Sequence, residues 1–388
     1  MRVGPGLTGH DEPAVGSPEP VSAPRRAWSA VAAFAAVRAL GLLVLDLWSR
    51  ASGNDTHELL SARWDSLWYA RVAESGYDFT LTAPDGRVLS DLAFFPLLPW
   101  LEQAVAAVSP LGAGDAGLLI SGLAGLAAAW GMYLMGHHLW GHRAGLLLVT
   151  LWAAVPVGIV QSMAYSEALF VALAAWALYA ILRRRWVEAG VLASLAGLTR
   201  PVGLAVAAAL WAGAAVEARR TRHIGARMLT GAVLAPLGAA GYVLWVGLRR
   251  GGPLGYLDVQ AEWGNGFDGG LAYGEFIVDH LGGWPVVLAG LGLIAGTALA
   301  LWAYGACVRG RQPLPLLVYT GIVLALALCS SGYFGSKPRL LLPAFPLLAP
   351  VALALARTRA ARAVPVVVVL AVGSAVYGAS WINGSGPP

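Results

Sequence analysis

The chain contains 388 residues, of which 58% are hydrophobic and only 12% are charged, and its mean hydropathy is +0.66. Soluble domains carry about a quarter charged residues, so this composition excludes an ordinary soluble enzyme. Several uncharged apolar stretches of about 20 residues indicate a polytopic membrane protein instead.

The net charge of +5 does not indicate a nucleic-acid partner. All basic residues except Lys337 are arginines, and most stand in short clusters between apolar runs. Such clusters reflect membrane topology and not a surface that binds a polyanion. The two cysteines, Cys307 and Cys329, fall at opposite ends of neighbouring apolar segments, so no disulfide is expected between them.

The N-terminal segment 1–26 is rich in Gly and Pro and lacks an apolar core. We therefore predict a disordered cytoplasmic tail, and not a signal peptide, before a membrane domain at 27–382. Residues 383–388 would form a short outer tail.

Twelve apolar runs define the predicted membrane domain. They occupy residues 27–48, 92–109, 115–136, 144–162, 165–182, 186–199, 201–216, 228–248, 284–306, 313–331, 339–356 and 364–382. If all of them crossed the membrane, the cluster Arg183, Arg184 and Arg185 would lie outside, against the positive-inside rule. The economical solution is that 92–109 does not cross, because two prolines and Glu102 interrupt it. The sequence therefore predicts an all-α protein of about eleven spans, with the N-terminus inside and the C-terminus outside.

The runs 186–199 and 201–216 are each too short for an ordinary span. A short hairpin, with Arg200 near the outer face but below the bilayer surface, keeps the later basic loops inside. Irregular backbone at this depth is tolerated only where it is buried in protein or lines a cavity, which predicts a cavity open to the outer side. The two long outer segments, 49–114 and 249–283, also indicate that the working surface faces outward.

The stretch around Asp65 is the densest in polar and aromatic residues. Trp64, Leu67, Trp68 and Val72 recur at helical spacing and predict a helix that lies in the membrane interface. Asp65 stands beside that face, where its carboxylate would meet the polar heads of lipids. The structural alternative is a first-turn acid that the helix dipole favours.

Six short motifs stand between residues 64 and 346. They are Trp-Asp-Ser-x-Trp-Tyr at 64–69, Ala-Glu-x-Gly-Tyr at 73–77, Ala-Phe-Phe-Pro-Leu-x-Pro at 93–99, Tyr-Ser-Glu-Ala-Leu-Phe at 165–170, Gly-Leu-Thr-Arg-Pro at 197–201, and Pro-Arg-Leu-Leu-Leu-Pro-Ala-Phe-Pro at 338–346. Together these motifs resemble the PIG-V-like mannosyltransferases of the GT-C membrane glycosyltransferases. Ala168 departs from the serine of the family pattern. The resemblance implies transfer of mannose from a polyprenyl or dolichyl phosphate to a glycolipid, with the essential acid of the first outer loop at Asp65.

Transfer from a lipid phosphate requires a base for the acceptor hydroxyl and cations for the phosphate. Asp65 is the candidate base, and a single base without a carboxylate nucleophile implies inversion at the sugar carbon. The candidate phosphate ligands are Arg200, Lys337, Arg339 and, within the first span, Arg38. The structural alternative for Lys337 and Arg339 is that their long side chains snorkel to the membrane interface. The structural alternative for Arg38 is that it pairs with a carboxylate or carbonyls within the helix bundle.

Glu167 opens the run 165–182 on the predicted outer side. It is either a second catalytic acid, which orients the acceptor, holds a metal or steadies a cationic partner, or a first-turn acid that complements the helix dipole. For the acceptor and its sugar we expect aromatic and acidic groups of the two outer segments. These are Trp64, Trp68, Tyr69, Trp263 and Asp268.

No metal ligands are assigned, although a divalent metal stays open. His137, His138 and His142 fall on the inner side and are interpreted as interfacial residues. The expected partners are a polyprenyl-phosphate-linked sugar as co-substrate, a glycolipid or glycoconjugate acceptor and the bilayer. The composition, rich in Ala, Arg and Gly, suggests the cell membrane of a bacterium. The alternative function is a transporter or lipid flippase, because a broken helix and an intramembrane arginine also suit a substrate pathway.

Overall fold

The computed structural model describes residues 22–384, 386 and 387, and most of them are helical. The α-helices are, in chain order, α1 Ser22–Ser52, α2 Thr56–Ser61, α3 Asp65–Ser75, α4 Leu97–Val108, α5 Ala113–Trp140, α6 His142–Ala153, α7 Ser166–Leu182, α8 Trp186–Gly197, α9 Leu204–Thr221, α10 Ala226–Leu234, α11 Leu237–Arg249, α12 Gly255–Glu262, α13 Leu271–Asp279, α14 Val287–Arg309, α15 Leu314–Cys329, α16 Lys337–Leu340, α17 Ala349–Arg357 and α18 Ala360–Ile382. The predicted helical class is confirmed.

Two small antiparallel sheets are present, and three of their four strands lie in segments that we predicted to be outside the membrane, whereas β4 lies at the end of the apolar run 313–331. Strand β1, Thr80–Thr82, pairs with β2, Val88–Ser90, so that Thr80 faces Ser90. Strand β3, Gly266–Phe267, pairs with β4, Ser330–Ser331. The second sheet joins the segment 249–283 to the chain that follows α15, and so brings two distant parts of the sequence to one place.

The structure supports an integral membrane protein without confirming eleven spans. Within the described residues, six helices are long and apolar enough to cross a membrane. They are Arg26–Ser52, Ala113–Trp140, Pro201–Thr221, Ala226–Arg249, Val287–Arg309 and Ala360–Ile382. A bent pair, Phe334–Leu340 with Phe345–Arg357, gives a seventh candidate, and four shorter apolar helices accompany them.

Three predicted segments differ from the structure. The run 144–162 divides into α6 and a 3₁₀ turn at Gly158–Ser162, and 339–356 divides into pieces that meet at 72°. Prolines interrupt both runs, since a proline lacks the N–H that a helix needs. The predicted tail 1–26 is too long, because α1 already begins at Ser22 with Pro24 in its first turn, where proline is tolerated. Residues 1–21 lie outside the described part.

The first outer segment holds three helices and one hairpin between α1 and α5. Its last helix, α4, has 12 residues and therefore spans about 18 Å, which is too short to cross a bilayer. Glu102 of α4 is fully buried, and a Cβ atom added at Gly117 of α5 would lie 2.5 Å from its Oε1. Helix α4 therefore packs closely on α5.

Helix α3 packs through a face that its apolar spacing predicts only in part. The residues that it buries are Ser66, Tyr69, Val72 and Ala73, whereas Leu67 is 53% exposed. Trp68 also packs, on the ring of Phe94, so Leu67 is the member of the predicted apolar face that points away from the protein. Asp65 stands at the first residue of this helix.

The short runs 186–199 and 201–216 form helices α8 and α9, joined by a tight reversal. A Cβ atom at Gly203 would lie 2.5 Å from the backbone of Gly197, so the close reversal needs glycine at position 203. A Cβ atom at Gly197 would instead lie 2.7 Å from the backbone nitrogen of Ala239 on α11. Arg200 stands in this reversal, directly before the 3₁₀ turn Pro201–Gly203. The expected hairpin with Arg200 at its tip is present.

Candidate active site

A cavity of about 340 Å³ lies where the two outer segments, the α8–α9 reversal and the start of α16 meet. The side chains that carry charge or hydrogen-bonding groups there include those of Asp65, Tyr69, Thr199, Arg200, Tyr256, Gln260, Asn265, Ser330, Ser331, Ser336, Lys337 and Arg339. Aromatic rings of Phe94, Phe95, Trp263 and Tyr333 supply much of the remaining wall. The cavity therefore combines ionised groups with aromatic surface.

Asp65 enters the cavity from the first turn of α3. The preceding residue, Trp64, has a φ of 54°, a left-handed conformation that is costly for a bulky side chain. The backbone N–H of Asp65 donates to the hydroxyl of buried Tyr165 at 3.3 Å. The carboxylate lies 2.8 Å from Nη1 of Arg339 and remains 24% exposed, so it is ion-paired and still accessible.

Glu167 lies deeper, in the first turn of α7, and its side chain is 2% exposed. Its Oε1 is 2.5 Å from Nη1 of Arg200 and 3.3 Å from Nε of Arg339. A carboxylate buried to this degree requires compensating charge, which the two guanidinium groups supply. Glu167 therefore holds both arginines beside the cavity.

The ion pairs of Arg339 are short in distance but poorly aligned as hydrogen bonds. Among the described residues, Nη1 of Arg339 is 2.8 Å from Asp65 and its Nε is 3.3 Å from Glu167, but both contacts lie outside good hydrogen-bond geometry. Buried polar groups are nearly always paired, so donors of this kind are suited to an added ligand. An anion beside Arg339 would satisfy them.

Two hydroxyl groups extend the network from Arg200. Nη1 of Arg200 is 3.3 Å from Oγ of Ser166, and that oxygen is 2.8 Å from the hydroxyl of Tyr69. Burial raises the pKa of the Tyr69 hydroxyl well above its ordinary value. Tyr69 is therefore neutral at physiological pH and acts as a hydrogen-bonding group beside the ion pairs.

Lys337 lines the cavity, but its ammonium group is already engaged. Nζ donates to the carbonyls of Ala327 at 2.9 Å and Ser330 at 2.5 Å, at the C-terminal end of α15. It also lies 4.8 Å from the ring centre of Tyr273. Lys337 thus joins α16 to α15 and adds one positive charge to the wall. The three cations Lys337, Arg200 and Arg339 outnumber the two carboxylates of Asp65 and Glu167, so this cluster has a formal net charge of +1.

The predicted sugar-binding residues divide between the cavity and its support. Trp263 lines the cavity, and its Nε1 donates to the carbonyl of Ser90 at 2.9 Å. Trp68 stands behind it, stacked on Phe94 at 5.5 Å and edge-on to Trp263 at 5.0 Å. The structure therefore gives Trp263 contact with the cavity and Trp68 a packing role.

Three other predicted residues do not line this cavity. Trp64 packs under the guanidinium of Arg63, at 4.2 Å. Asp268 accepts from the backbone N–H groups of Gly270 and Ala272, which lower its pKa, so its carboxylate caps α13. Arg38 is 6% exposed within α1 and lies against Gly158, where an added Cβ would be 3.0 Å from its Nη2. Sequence spacing alone could not place these side chains relative to the cavity.

The structure adds polar residues that sequence reasoning missed. Tyr256 and Gln260, one helical turn apart on α12, both line the cavity, and Nε2 of Gln260 donates to the Tyr256 hydroxyl at 3.0 Å. Oε1 of Gln260 accepts from Asn265 at 2.9 Å. The i, i+4 spacing of these two side chains, which places them on one face of a helix, could have indicated from the sequence that they belong to the same site.

The arrangement does not suit a divalent metal. Asp65 and Glu167 both contact Arg339, so a guanidinium already occupies the position between the two carboxylates. Within the described residues, no group of three or more His, Cys, Asp and Glu side chains is placed to hold a metal ion. His137 and His142 instead contact the Tyr133 ring where α5 ends and α6 begins.

Comparisons with solved structures identify the fold. ArnT from Cupriavidus metallidurans, bound to undecaprenyl phosphate, matches with a TM-score of 0.54 at 16% sequence identity, over 86% of this chain and 62% of that one. The apo form of ArnT gives 0.49 at 18% identity, over 78% and 56% of the two chains. Archaeal AglB from Archaeoglobus fulgidus, in complex with an inhibitory peptide and a dolichol-phosphate, gives 0.48 at 15% identity, over 92% and 56%.

The match to ArnT bound to undecaprenyl phosphate shows that the chain has the fold of the GT-C membrane glycosyltransferases. The chain spans less than two thirds of the length of each of these neighbours. No protein-family model matches the sequence, and no curated protein matches it. The fold is therefore known from structural similarity alone, and the residues of the cavity are the basis for its chemistry.

Proposed function

We propose that this protein is a glycosyltransferase that moves a hexose, mannose in the first instance, from a polyprenyl phosphate to the hydroxyl of a glycolipid or glycoconjugate. The observation that carries the proposal is the contact of Asp65 with Arg339, which places a candidate base and a candidate phosphate ligand at one cavity. ArnT, which shares the fold, binds undecaprenyl phosphate in its crystal structure, in keeping with a lipid-linked donor here. The PIG-V-like sequence elements supply the expectation of mannose.

In this mechanism Arg339 and Arg200 hold the donor phosphate through charge-assisted hydrogen bonds. The phosphate departs with the electron pair of the glycosidic C–O bond, and the guanidinium groups stabilise the charge that develops on it. The oxygen of the acceptor hydroxyl attacks the sugar carbon from the face opposite the departing phosphate, and Asp65 takes the proton that this hydroxyl loses. A single attack by the acceptor inverts the configuration at that carbon.

Glu167 and Lys337 have supporting roles in the same proposal. Glu167 keeps the two arginines in place while its own oxygens stay buried. Lys337 adds a positive charge to the wall while its ammonium group joins α15 to α16. The aromatic face of Trp263 is suited to stack on a sugar ring, and the polar groups of α12 are suited to bond sugar hydroxyls. We further propose that the cavity opens to the extracytoplasmic face of a bacterial cell membrane.

The test is transfer from radiolabelled polyprenyl phosphate sugars in proteoliposomes, with mannose, glucose and an amino sugar offered separately. The Asp65→Asn variant should lose turnover by at least about 100-fold while it still binds polyprenyl phosphate, because the amide cannot accept the proton. Asp85→Asn, on the exposed β1–β2 turn, is the matched control and should retain activity. Full activity of Asp65→Asn would refute the base assignment, and translocation of intact lipid without transfer would support the transporter alternative.

A further inference from the structure

The residue before Asp65 has a backbone conformation that its own side chain disfavours. Trp64 combines a φ of 54° with a ψ of −123°, outside the helical and extended regions that a bulky residue prefers. Such a conformation costs about 1–3 kcal/mol and persists only where the surrounding contacts fix it. The contacts on either side of Trp64 therefore decide how α3 begins and where the carboxylate of Asp65 lies.

Arg63 supplies the contacts on the N-terminal side of this turn. Its Nη1 donates to the carbonyl of Ile382 at 3.3 Å, and its Nη2 donates to the carbonyl of Gly384 at 3.1 Å, so the guanidinium binds the C-terminal end of α18. A cation is favoured at this end because the last carbonyls of a helix carry partial negative charge. The same guanidinium lies over the ring of Trp64, 4.2 Å from its centre. Arg63 thus joins the strained residue to α18.

The end of α18 is in turn joined to the end of α1. Nδ2 of Asn383 donates to Oγ of Ser49 at 3.1 Å, and Nδ2 of Asn54 donates to Oδ1 of Asn383 at 2.8 Å. Ser49 is fully buried. The carbonyls that Arg63 binds therefore belong to a helix end that side-chain hydrogen bonds hold in place.

Tyr165 supplies the contact on the C-terminal side of the turn. Its hydroxyl accepts from the backbone N–H of Asp65 at 3.3 Å, and an N–H in the first turn of a helix has no acceptor within that helix. Tyr165 is fully buried, and its ring centre lies 5.1 Å from the guanidinium carbon of Arg339. One tyrosine thus contacts the backbone of Asp65 and the arginine that pairs with its carboxylate.

We propose that Arg63 and Tyr165 are positioning residues, which hold the strained turn at Trp64 and so fix the carboxylate of Asp65 against Arg339. Neither side chain lines the catalytic cavity, so neither is placed to touch a substrate. The inference rests on the proposed function for the role of Asp65 and adds what holds that carboxylate in place. A displacement of about 1 Å at a reacting group can lower a rate by about 100-fold, so loss of either contact should be visible in turnover.

The experiment measures transfer in proteoliposomes and expresses turnover per site that binds sugar-free undecaprenyl phosphate, so that misfolded protein is not counted. Arg63→Gln should lower turnover at least about tenfold, and Tyr165→Phe at least about fivefold. The KM for the lipid donor should stay within about twofold of its original value, because the candidate phosphate ligands are unchanged. Arg63→Lys, which keeps a cation at the end of α18, should restore part of the loss.

Two matched controls remove the same kinds of group elsewhere. Arg50→Gln removes an arginine whose side chain is 75% exposed, and Tyr377→Phe removes the hydroxyl of a tyrosine that is 44% exposed on α18. Both variants should keep full turnover. A loss in the controls as large as in Arg63→Gln and Tyr165→Phe would overturn the inference.

A second arm repeats both changes in the Asp65→Asn background. Residues that act through the Asp65 carboxylate have no further effect once it is gone, so the residual turnover of each double variant should lie within about twofold of that of Asp65→Asn alone. A merely structural role would lower turnover by the same factor in both backgrounds, and that result would overturn the inference.

The outcomes also separate the inference from the proposed function. If Asp65→Asn loses turnover while Arg63→Gln and Tyr165→Phe match the unaltered protein, the inference fails and the proposed function stands. If Asp65→Asn keeps full turnover, the base assignment of the proposed function fails and the inference fails with it. Should Arg63→Gln not fold, Tyr165→Phe, which removes a single oxygen atom, decides, and full turnover of that variant overturns the inference.

Discussion

Arg339 lies between two carboxylates: its Nη1 is 2.8 Å from Oδ2 of Asp65, and its Nε is 3.3 Å from Oε1 of Glu167. The two acids come from positions about one hundred residues apart in sequence, and the arginine from a third region. Under the proposed mechanism, a donor phosphate competes with Asp65 for this guanidinium. Donor binding would thereby release the base for the acceptor hydroxyl.

Arg339→Lys tests this relationship. A lysine keeps the charge but loses the planar set of donors, so the KM for the lipid donor should rise and turnover should fall by roughly 100-fold. Initial rates against donor concentration measure both parameters. Arg309→Lys, at the predicted inner end of α14, is the control, and equal kinetics of the two variants would argue against a phosphate role for Arg339.

Glu167→Gln and Arg200→Gln form a double-mutant cycle. Each single change removes one side of this buried ion pair, although Glu167 keeps its contact with Arg339 when Arg200 is lost, and should lower the free energy of unfolding by about 2 kcal/mol. The double variant should lose less than the sum of both, with a coupling of at least about 1 kcal/mol, because the ion pair is removed as a unit. Chemical denaturation in detergent gives the four values, and strict additivity would contradict the direct pair.

Trp263→Ala should weaken binding of the sugar-bearing substrate. The ring lines the cavity and also packs on Trp68 and Phe94, so its loss removes a stacking surface and loosens that wall. We expect KM to rise about tenfold, whereas Trp263→Phe should keep most of the affinity. Transfer assays over a range of donor and acceptor concentrations separate the two substrates, and unchanged KM values for both would remove Trp263 from the sugar site.

Gly190→Ala should destabilise the helix pair that supports the α8–α9 reversal. The added Cβ would lie 2.5 Å from the carbonyl oxygen of Gly231 on α10, and backbone cannot yield as a flexible side chain can. A loss of about 2 kcal/mol is expected. Gly122→Ala on α5 meets no atom within 4 Å and should be neutral or slightly stabilising. Thermal unfolding of both variants in detergent checks the difference.

The sequence alone determined the helical membrane class and the short hairpin with Arg200 at its tip, and it singled out Asp65 and Glu167 as candidate site residues. Apolar length, arginine placement and local motifs carry that information because they depend on neighbouring residues and on the bilayer. The same reasoning did not show which further residues of α3 are buried, because burial depends on the helices that pack against it. It also missed the breaks within 144–162 and 339–356, where prolines interrupt the helical hydrogen bonds.

Only the tertiary structure decided which candidates share a cavity. Asp65, Arg200 and Arg339 meet because three distant segments converge, whereas Arg38 and Asp268, equally plausible by residue type, are held elsewhere by burial in α1 and by capping of α13. The type of a charged residue and its neighbours in sequence do not show which distant residue it contacts. Contacts across some three hundred residues arise from how helices pack, and packing is a property of the whole folded chain.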